Sequence, residues 1–269
     1  MSEQRLRDPA RLREYLVDWL RQVQSQSAVD GFIFGLSGGI DSAVVCGLAA
    51  EAVGAEHCLA LVLPVESHAE DARLASDVAD RFGVRAITVE LARPFRSLVE
   101  ALADSRGRGA RPGEVAGTPA QDAGHTSPAE ALALANVKPR LRMLALYYYA
   151  NLLRYLVLGT GNRDEIAVGY FTKHGDGAAD AFPLADLVKA EVRALARELG
   201  VPEAVIERPP SAGLWPGQTD EAELGFSYDQ LDRYLLEGGS GDEGVDAAIR
   251  HRQDQARHKL SPPPAARPE

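Results

Sequence analysis

Apolar residues in the first third of the chain form short continuous runs that alternate with longer stretches of helical periodicity. The segment 43–50 is apolar enough to open a buried helix, and 69–82 carries its apolar residues on one side before Gly83, a typical helix stop. Strands that alternate with helices predict a doubly wound α/β fold, with a mostly parallel sheet and helices on both faces. The runs that predict strands are 32–34, 58–63 and 85–89.

Similar patterns continue on both sides of this region. Downstream, a helix is expected to carry Pro139 in its first turn, 154–158 predicts a fourth strand, and 166–168 is a short apolar segment. Upstream, apolar residues at helical spacing predict a surface helix that packs on the core: Leu12, Tyr15, Leu16, Trp19, Leu20 and Val23. Further helices are predicted at 186–199, 227–236 and 245–259.

The length of 269 residues suits one large α/β domain, so residues 1–269 are predicted to form a single domain. Gly, Ala, Pro, Arg and Ser dominate 104–128, which predicts a mobile loop. A lid and an insertion without chemistry are equally good interpretations of that loop. The proline-rich tail from Ser261 is expected to be frayed.

Charge and composition narrow the class of partner. Lys and Arg (29) against Asp and Glu (39) give a net charge of −10, which argues against non-specific nucleic-acid binding. No stretch approaches the roughly 18 apolar residues of a membrane span, and the amino-terminal segment lacks the apolar core of a signal peptide. Cys46 and Cys58 lie in apolar elements and are expected to be core residues. We therefore expect a cytoplasmic protein without nucleic-acid or membrane partners.

A glycine-bearing turn follows the first predicted strand and precedes the first predicted buried helix. Such a turn lets unpaired backbone N–H groups and the helix dipole face a phosphate. Hydroxyl groups in the turn can donate to phosphate oxygens, and its carboxylate can hold magnesium. The turn has neither the lysine of a Walker A motif nor the G-x-G-x-x-G spacing of a dinucleotide fold. Its residues are Gly35, Leu36, Ser37, Gly38, Gly39, Ile40, Asp41 and Ser42.

A second region, 159–180, combines many glycines with polar side chains that fit neither a helix nor a strand face. Ionisable groups on irregular backbone are typical of a ligand site. Glu165 is a candidate second carboxylate for the magnesium ion of Asp41, and Lys173 and Lys189 are candidate phosphate partners. The alternative interpretation is a solvated loop with surface lysines. The polar residues are Thr160, Asn162, Glu165, Thr172, Lys173, His174, Asp176 and Asp180.

The glycine-bearing turn resembles the pyrophosphate loop of the N-type ATP pyrophosphatases, and further motifs resemble the NAD synthetase family. These motifs occur in that family's order and cover nearly the whole chain. They lie at 136–143, 159–165, 169–176, 182–189, 209–215, 217–221 and 223–225. The chain departs from the family at Pro139, where alanine is usual, and at Leu260, where a basic residue is common.

The resemblance implies a magnesium-dependent ligase of NAD biosynthesis with ATP as co-substrate. Such an enzyme adenylates the nicotinate carboxylate of deamido-NAD, releases pyrophosphate, and lets ammonia displace AMP to give NAD. The resemblance also implies a homodimer with deamido-NAD at the subunit boundary, and the apolar segment 141–153 offers surface for it.

The resemblance implies a role for each candidate site residue. Asp41 and Glu165 would ligate magnesium, and Asp176 would hold incoming ammonia or a metal. Asp176, Lys189 and Asp41 form the expected catalytic set. ATP contacts are expected from 35–42 and from Thr160, Lys189 and Ser211. Deamido-NAD contacts are expected from Arg140, Lys173, Asp180, His258 and Lys259.

Two other functions compete with this one. Another adenylating ligase, such as a tRNA-modifying or GMP-forming enzyme, would share the phosphate loop, but the acidic charge disfavours tRNA and 171–176 favours NAD synthesis. A non-catalytic nucleotide-binding regulator would be expected to lack Asp41, Glu165 or Lys189, and all of them are present. Glutamine-dependent members of the family carry an extra amino-terminal domain with a catalytic cysteine. The residues before 32 contain no cysteine, so the ammonia-dependent type is expected.

Overall fold

The centre of the fold is a parallel sheet of four strands in the order β3-β2-β1-β4. The computed structural model describes residues 6–109, 127–210 and 219–267. A single parallel bridge between Leu158 and Ala181 extends the sheet beyond β4. The strands are β1 (Gly31–Gly35), β2 (Cys58–Val62), β3 (Arg85–Thr88) and β4 (Tyr155–Leu158).

Helices cover both faces of this sheet, as the strand and helix patterns predict. The helices of the first half are α1 (Pro9–Ser27), α2 (Ile40–Val53), α3 (Ala69–Phe82), α4 (Ala92–Gly109), α5 (Pro128–Ala135) and α6 (Val137–Leu153). Those of the second half are α7 (Arg163–Val168), α8 (Lys189–Leu199), α9 (Glu203–Ile206), α10 (Asp220–Leu224), α11 (Tyr228–Glu237) and α12 (Glu243–Leu260). A short 3₁₀ turn, Ala55–His57, leads into β2.

Alternation along the strands divides the core into two layers. Phe32 and Phe34 of β1 face a cluster that includes apolar residues of α1, α2, α3 and α8. Ile33 faces the other side, where α4 and α6 contribute Phe95 and Ala145. The doubly wound fold is therefore confirmed. Among the described residues, no helix has the length and apolar character needed to cross a membrane.

A third apolar cluster joins α7, α10, α11 and α12 beside the sheet and includes Leu224, Phe226, Leu231 and Ile249. Gly169, which ends α7, has φ +64°, and a Cβ there would lie 2.2 Å from Cβ of Ala256. The missing side chain therefore lets α12 pack closely against the end of α7.

Several predicted boundaries are wrong. The helix predicted from 186 begins at Lys189, because residues 186–188 form the turn that leads into α8. Residues 166–168 are part of α7, so the region 159–180 is not wholly irregular. α4 continues to Gly109 into the predicted loop 104–128, and α5 begins at Pro128 behind the Ser127 cap. The middle of that loop, 110–126, lies outside the described residues.

Candidate active site

The turn 35–42 lies at the carboxyl end of β1 and opens α2. Leu36 and Ile40 have buried side chains, so these residues can offer a ligand only backbone atoms. Ser42 Oγ accepts from Ser37 N at 3.2 Å and donates to the Gly39 carbonyl at 2.9 Å, which fixes the shape of the turn. Gly39 precedes the helix without a side-chain cap, so the first N–H groups of α2 are suited to an anion.

Gly38 is required by its backbone and by a close neighbour. Its φ is +77°, and a Cβ there would lie 2.5 Å from the carbonyl oxygen of Asp71 in α3. α3 therefore packs directly against the glycine-bearing turn.

Asp41 and Lys189 form an ion pair in the first turns of α2 and α8. Lys189 Nζ lies 2.6 Å from Asp41 Oδ2, and Asn162 Nδ2 donates to Asp41 Oδ1 at 2.9 Å. Only 1% of the Lys189 side chain is exposed, which contradicts its interpretation as a surface lysine. Its ammonium also lies 5.0 Å from the ring centre of Tyr228. The ion pair therefore places the Lys189 ammonium beside the glycine-bearing turn.

Glu165 lies in the first turn of α7, which Asn162 caps. Asn162 Oδ1 accepts from Glu165 N at 3.1 Å, and Glu165 Oε2 accepts from Asn162 N at 3.3 Å. Desolvation, followed by repulsion from Asp41, raises the pKa of Glu165 well above its usual range. Burial alone would lower the pKa of Lys189, but attraction to Asp41 and Glu165 outweighs it and the pKa is raised. Two carboxylates and one ammonium thus share a site.

The donor set fits a magnesium ion that phosphate would help to bind. Within the described ranges, no group of three or more His, Cys, Asp or Glu residues is arranged to hold a metal. Magnesium, however, is commonly held by one or two carboxylates together with substrate phosphates and water. The mutual repulsion that raises the Glu165 pKa is what a divalent cation between the two carboxylates would relieve.

Four of the five residues expected to contact deamido-NAD lie together between α6 and the end of α12. Arg140 Nη2 donates to the Lys173 carbonyl at 3.3 Å, and Lys173 Nζ donates to the His258 carbonyl at 2.6 Å. Lys259 Nζ donates at 2.7 Å to the carbonyls of both Gly169 and Phe171. The cationic side chains therefore order the chain after α7.

Asp180 lies apart from that group. Its Oδ2 accepts from Val157 N of β4 at 2.8 Å, and its Oδ1 accepts from the Tyr147 hydroxyl at 3.2 Å. Thr160 follows β4 and is half-buried. Ser211 lies outside the described residues.

Asp176 lies near two cationic side chains, Arg142 of α6 and Lys259 of α12. Its Oδ1 accepts from Thr172 N at 3.0 Å, and its charge acts on Arg142 and Lys259. Neighbouring protein atoms desolvate the Asp176 carboxyl and raise its pKa, although the residue is exposed at the surface. Arg142 itself donates to the Leu63 carbonyl at 3.0 Å, just beyond the carboxyl end of β2.

Sequence reasoning missed two acidic residues that accept hydrogen bonds from the start of α8, Asp164 and Asp232. The backbone N of Lys189 lies 2.6 Å from Asp164 Oδ2 and 3.1 Å from Asp232 Oδ1, and Ala190 N donates to Asp232 Oδ2 at 2.9 Å. Asp232 lies on the buried side of α11 next to Leu231, and only tertiary packing distinguishes it from the exposed Asp229 of the same helix. Sequence reasoning missed Tyr228 for the same reason, because only the folded chain brings its ring to the Lys189 ammonium.

The parallel sheet, the glycine-bearing turn at the carboxyl end of β1 and the buried Lys189–Asp41 pair are the arrangement of an α/β enzyme of the nucleotide-binding class. The family model of NAD synthase matches residues 12–263. The chain belongs to the NAD synthase family.

Individual relatives agree with this assignment. The NH(3)-dependent NAD(+) synthetase of Carboxydothermus hydrogenoformans is 44% identical over 246 residues, which cover 91% of this chain and 93% of that protein. A structure of NMN synthetase from Francisella tularensis has a TM-score of 0.83 and 32% identity, covering 98% of this chain and 99% of that one. A structure of the NH3-dependent NAD synthetase from Campylobacter jejuni, in complex with nitrate, has a TM-score of 0.73 and 26% identity, covering 97% and 100%.

Proposed function

We propose that this protein catalyses the ATP-dependent amidation of deamido-NAD with ammonia, forming NAD, AMP and pyrophosphate through an adenylated intermediate. The observation that carries the proposal is the Lys189–Asp41 pair at the phosphate-binding turn, within a chain 44% identical to an NH(3)-dependent NAD(+) synthetase. A cytoplasmic location and a single synthetase domain with a frayed tail from Ser261 belong to the same proposal.

In the first half-reaction, an oxygen of the nicotinate carboxylate bonds to the α-phosphorus of ATP, and the bond from that phosphorus to the α–β bridging oxygen breaks. Pyrophosphate leaves with the electron pair. Residues 35–42 hold the phosphates through backbone N–H groups and the Ser37 hydroxyl, with Thr160 and Ser211 as further ATP contacts. The Ser42 hydroxyl, which donates to the Gly39 carbonyl in the structure, would turn to a phosphate oxygen. The ammonium of Lys189 stabilises the negative charge that collects on the leaving oxygen.

Asp41 and Glu165 would hold magnesium together with the ATP phosphates. When bound, the ion supplies charge neutralisation for the triphosphate. Asp41 also keeps the Lys189 ammonium 2.6 Å away, aimed at the place where the phosphates bind.

In the second half-reaction, the nitrogen of ammonia bonds to the acyl carbon, and the carbon–oxygen bond to AMP breaks. Ammonium is the dominant species near neutral pH, so one proton must be removed before attack, and the nitrogen releases a second proton to water as AMP leaves. Asp176 is the proposed base, since its pKa is raised by desolvation and it lies beside the proposed deamido-NAD contacts. Those contacts are Arg140, Lys173, Asp180, His258 and Lys259.

The cysteines support ammonia, rather than glutamine, as the nitrogen source. A glutaminase needs an activated nucleophile, and a cysteine serves only as a thiolate. Burial raises the pKa of both Cys46 and Cys58 to about 12, so both thiols stay protonated at neutral pH.

An amidation assay with either nitrogen source tests the proposed function. Purified protein, deamido-NAD, ATP and magnesium are supplied with ammonium chloride or, in ammonia-free reagents, with glutamine. We expect NAD with ammonium only. NAD formation from glutamine at a rate that matches ammonium would reject the ammonia-dependent assignment.

A second substrate is favoured by one comparison. The Francisella tularensis structure, with a TM-score of 0.83, is that of an NMN synthetase. The carboxylate form of NMN offers the same reacting group as deamido-NAD but lacks the adenylate half. The ratio of kcat/KM for the two precursors distinguishes the candidates, and a ratio in favour of the mononucleotide would replace deamido-NAD in the proposal.

A homodimer is supported by an apolar row on α6. Leu144, Tyr148 and Leu152 lie four residues apart on one side of the helix, with 65%, 62% and 64% of their surface exposed. Leu98 and Leu102 of α4, which contacts α6, are also exposed. A second copy of the chain is the proposed cover for this surface.

A further inference from the structure

Hydrogen bonds join the first turn of α8 to Arg7, in the chain segment that precedes α1. Glu191 follows Lys189 by two positions, and only 1% of its side chain is exposed. Its Oε1 accepts from Arg7 N at 3.1 Å and from Arg7 Nε at 2.8 Å. Its Oε2 accepts from Arg7 Nη2 at 2.6 Å and from Val188 N at 3.3 Å. Each of these hydrogen bonds comes either from Arg7 or from Val188, the residue that caps the start of α8.

Arg7 also contacts the residue that begins the turn before the helix. Its Nη1 donates to Asp186 Oδ2 at 2.9 Å, and its Nη2 donates to the Asp186 carbonyl at 2.5 Å. Arg7 therefore holds Asp186 and Glu191 at once, and Lys189 lies between them in the chain.

The charge of Glu191 depends on this contact. Burial alone would raise the pKa of Glu191, but hydrogen bonds from Arg7 outweigh it and the pKa is lowered. Without Arg7, an ionised carboxylate would remain buried and uncompensated, a strongly unfavourable state. The carboxylate would then turn toward water, and the Val188 N–H would lose its acceptor.

We propose that Arg7 is a positioning residue for Lys189: it fixes the start of α8 so that the lysine ammonium reaches the phosphate-binding turn. The inference rests on the proposed role of Lys189 toward ATP. The ammonium lies 2.6 Å from Asp41 Oδ2, and small displacements of such a group reduce turnover strongly. Nothing in the local sequence of α8 reveals this support, because 184 positions separate Arg7 from Glu191.

Arg7→Met is the test variant and Arg13→Met its control. Arg13 joins α1 to Glu51 of α2 at 2.8 Å and to Glu198 near the other end of α8 at 3.3 Å. The control therefore removes ion pairs between the same part of the chain and the same helix, away from Lys189. We expect Arg7→Met to lower kcat for pyrophosphate release about tenfold, with KM for deamido-NAD unchanged. Arg13→Met should leave kcat within about twofold, as for an exposed ion pair.

A double-mutant cycle separates positioning from general loosening of the fold. Binding of α,β-methylene-ATP, which cannot be cleaved at the reacting bond, is measured with and without Lys189→Met. Arg7→Met should weaken binding several-fold in the parent protein and cause no further loss beside Lys189→Met. Equal losses in both backgrounds, or an unchanged kcat in folded Arg7→Met, would overturn the proposal.

The test does not depend on the folding of one variant or on the identity of the second substrate. If Arg7→Met fails to fold, Arg7→Lys takes its place, since it keeps the charge and loses the forked contact. The binding arm needs no deamido-NAD, so failure of NAD synthesis with the coupling intact would reject the proposed substrate and not the role of Arg7.

Discussion

At the scale of single residues, the site depends on charges that need one another. Asp41 contacts Lys189 and Asn162, and Glu165 lies close enough to Asp41 for mutual repulsion to raise the Glu165 pKa. Because each group compensates another, the loss of one charge changes the whole site.

Asp41→Asn is expected to abolish pyrophosphate release, with a fall of more than about a hundredfold. Asparagine keeps an acceptor for Asn162 but removes the negative charge that holds the Lys189 ammonium and would bind magnesium. The measurement is pyrophosphate release over a magnesium titration, with Asp77→Asn on the surface of α3 as control. Near wild-type turnover at ordinary magnesium would refute the metal assignment.

Asp164 has a different role, visible in stability. Desolvation, with repulsion from Asp232, raises the pKa of Asp164 to about 8, and its buried Oδ1 has no hydrogen-bond partner among the residues that the structure describes. The folded-state pKa lies above the unfolded value of 3.8. The stability that this group contributes is therefore complete below the unfolded pKa and is lost as the pH rises through the folded pKa.

Asp164→Asn should remove this pH dependence. Between about pH 4 and about pH 8, the wild-type free energy of unfolding should fall by up to about 1.4 kcal/mol per pH unit because of this group. Urea unfolding across that range measures the difference between variant and wild type. Asp229→Asn, at an exposed position of α11, is the control. Parallel stability curves for Asp164→Asn and wild type would contradict the prediction.

At the scale of elements, α12 and the segment after α7 form the proposed dinucleotide contacts together. Because Gly169 has no side chain, α12 packs closely against the end of α7. Lys173 then donates to the His258 carbonyl of α12, and Lys259 of α12 donates to the Gly169 carbonyl. Neither segment could make this surface alone.

Lys173→Ala is expected to raise KM for deamido-NAD at least about tenfold while KM for ATP changes little, because the Lys173 ammonium contacts the end of α12, among the proposed deamido-NAD contacts. Initial rates with each substrate varied in turn give both constants. Arg257→Ala, in the exposed last turn of α12, is the control. Equal changes in both constants would argue against the assignment.

Elements that bury a periodic pattern were predictable, and elements fixed by distant contacts were not. The predicted helix over 69–82 coincides with α3, where periodicity and Gly83 agree. The helix predicted from 186 begins too early, because Leu187 and Val188 continue the apolar period of α8 although they lie in the turn before it. The acidic residues that accept hydrogen bonds from the backbone at the start of α8 come from α7, α8 and α11, and no local pattern joins them.

At the scale of the whole molecule, the apolar row on α6 predicts self-association. Tyr148→Glu would place a charge in the proposed interface and is expected to shift a dimer toward monomer. The control is Tyr15→Glu at an exposed position of α1, which should leave the dimer unchanged. Light scattering at micromolar concentration measures the mass. A wild-type monomer of 28.9 kDa would contradict the proposed dimer.

The central claim is that ammonia supplies the amide nitrogen of NAD after ATP has activated the carboxylate. ¹⁵N-labelled ammonium with deamido-NAD, ATP and magnesium tests it in one reaction. Mass spectrometry should show NAD that carries one ¹⁵N atom, with one AMP and one pyrophosphate released per NAD formed. Unlabelled NAD, ADP and phosphate in place of AMP and pyrophosphate, or no NAD at all would contradict the account.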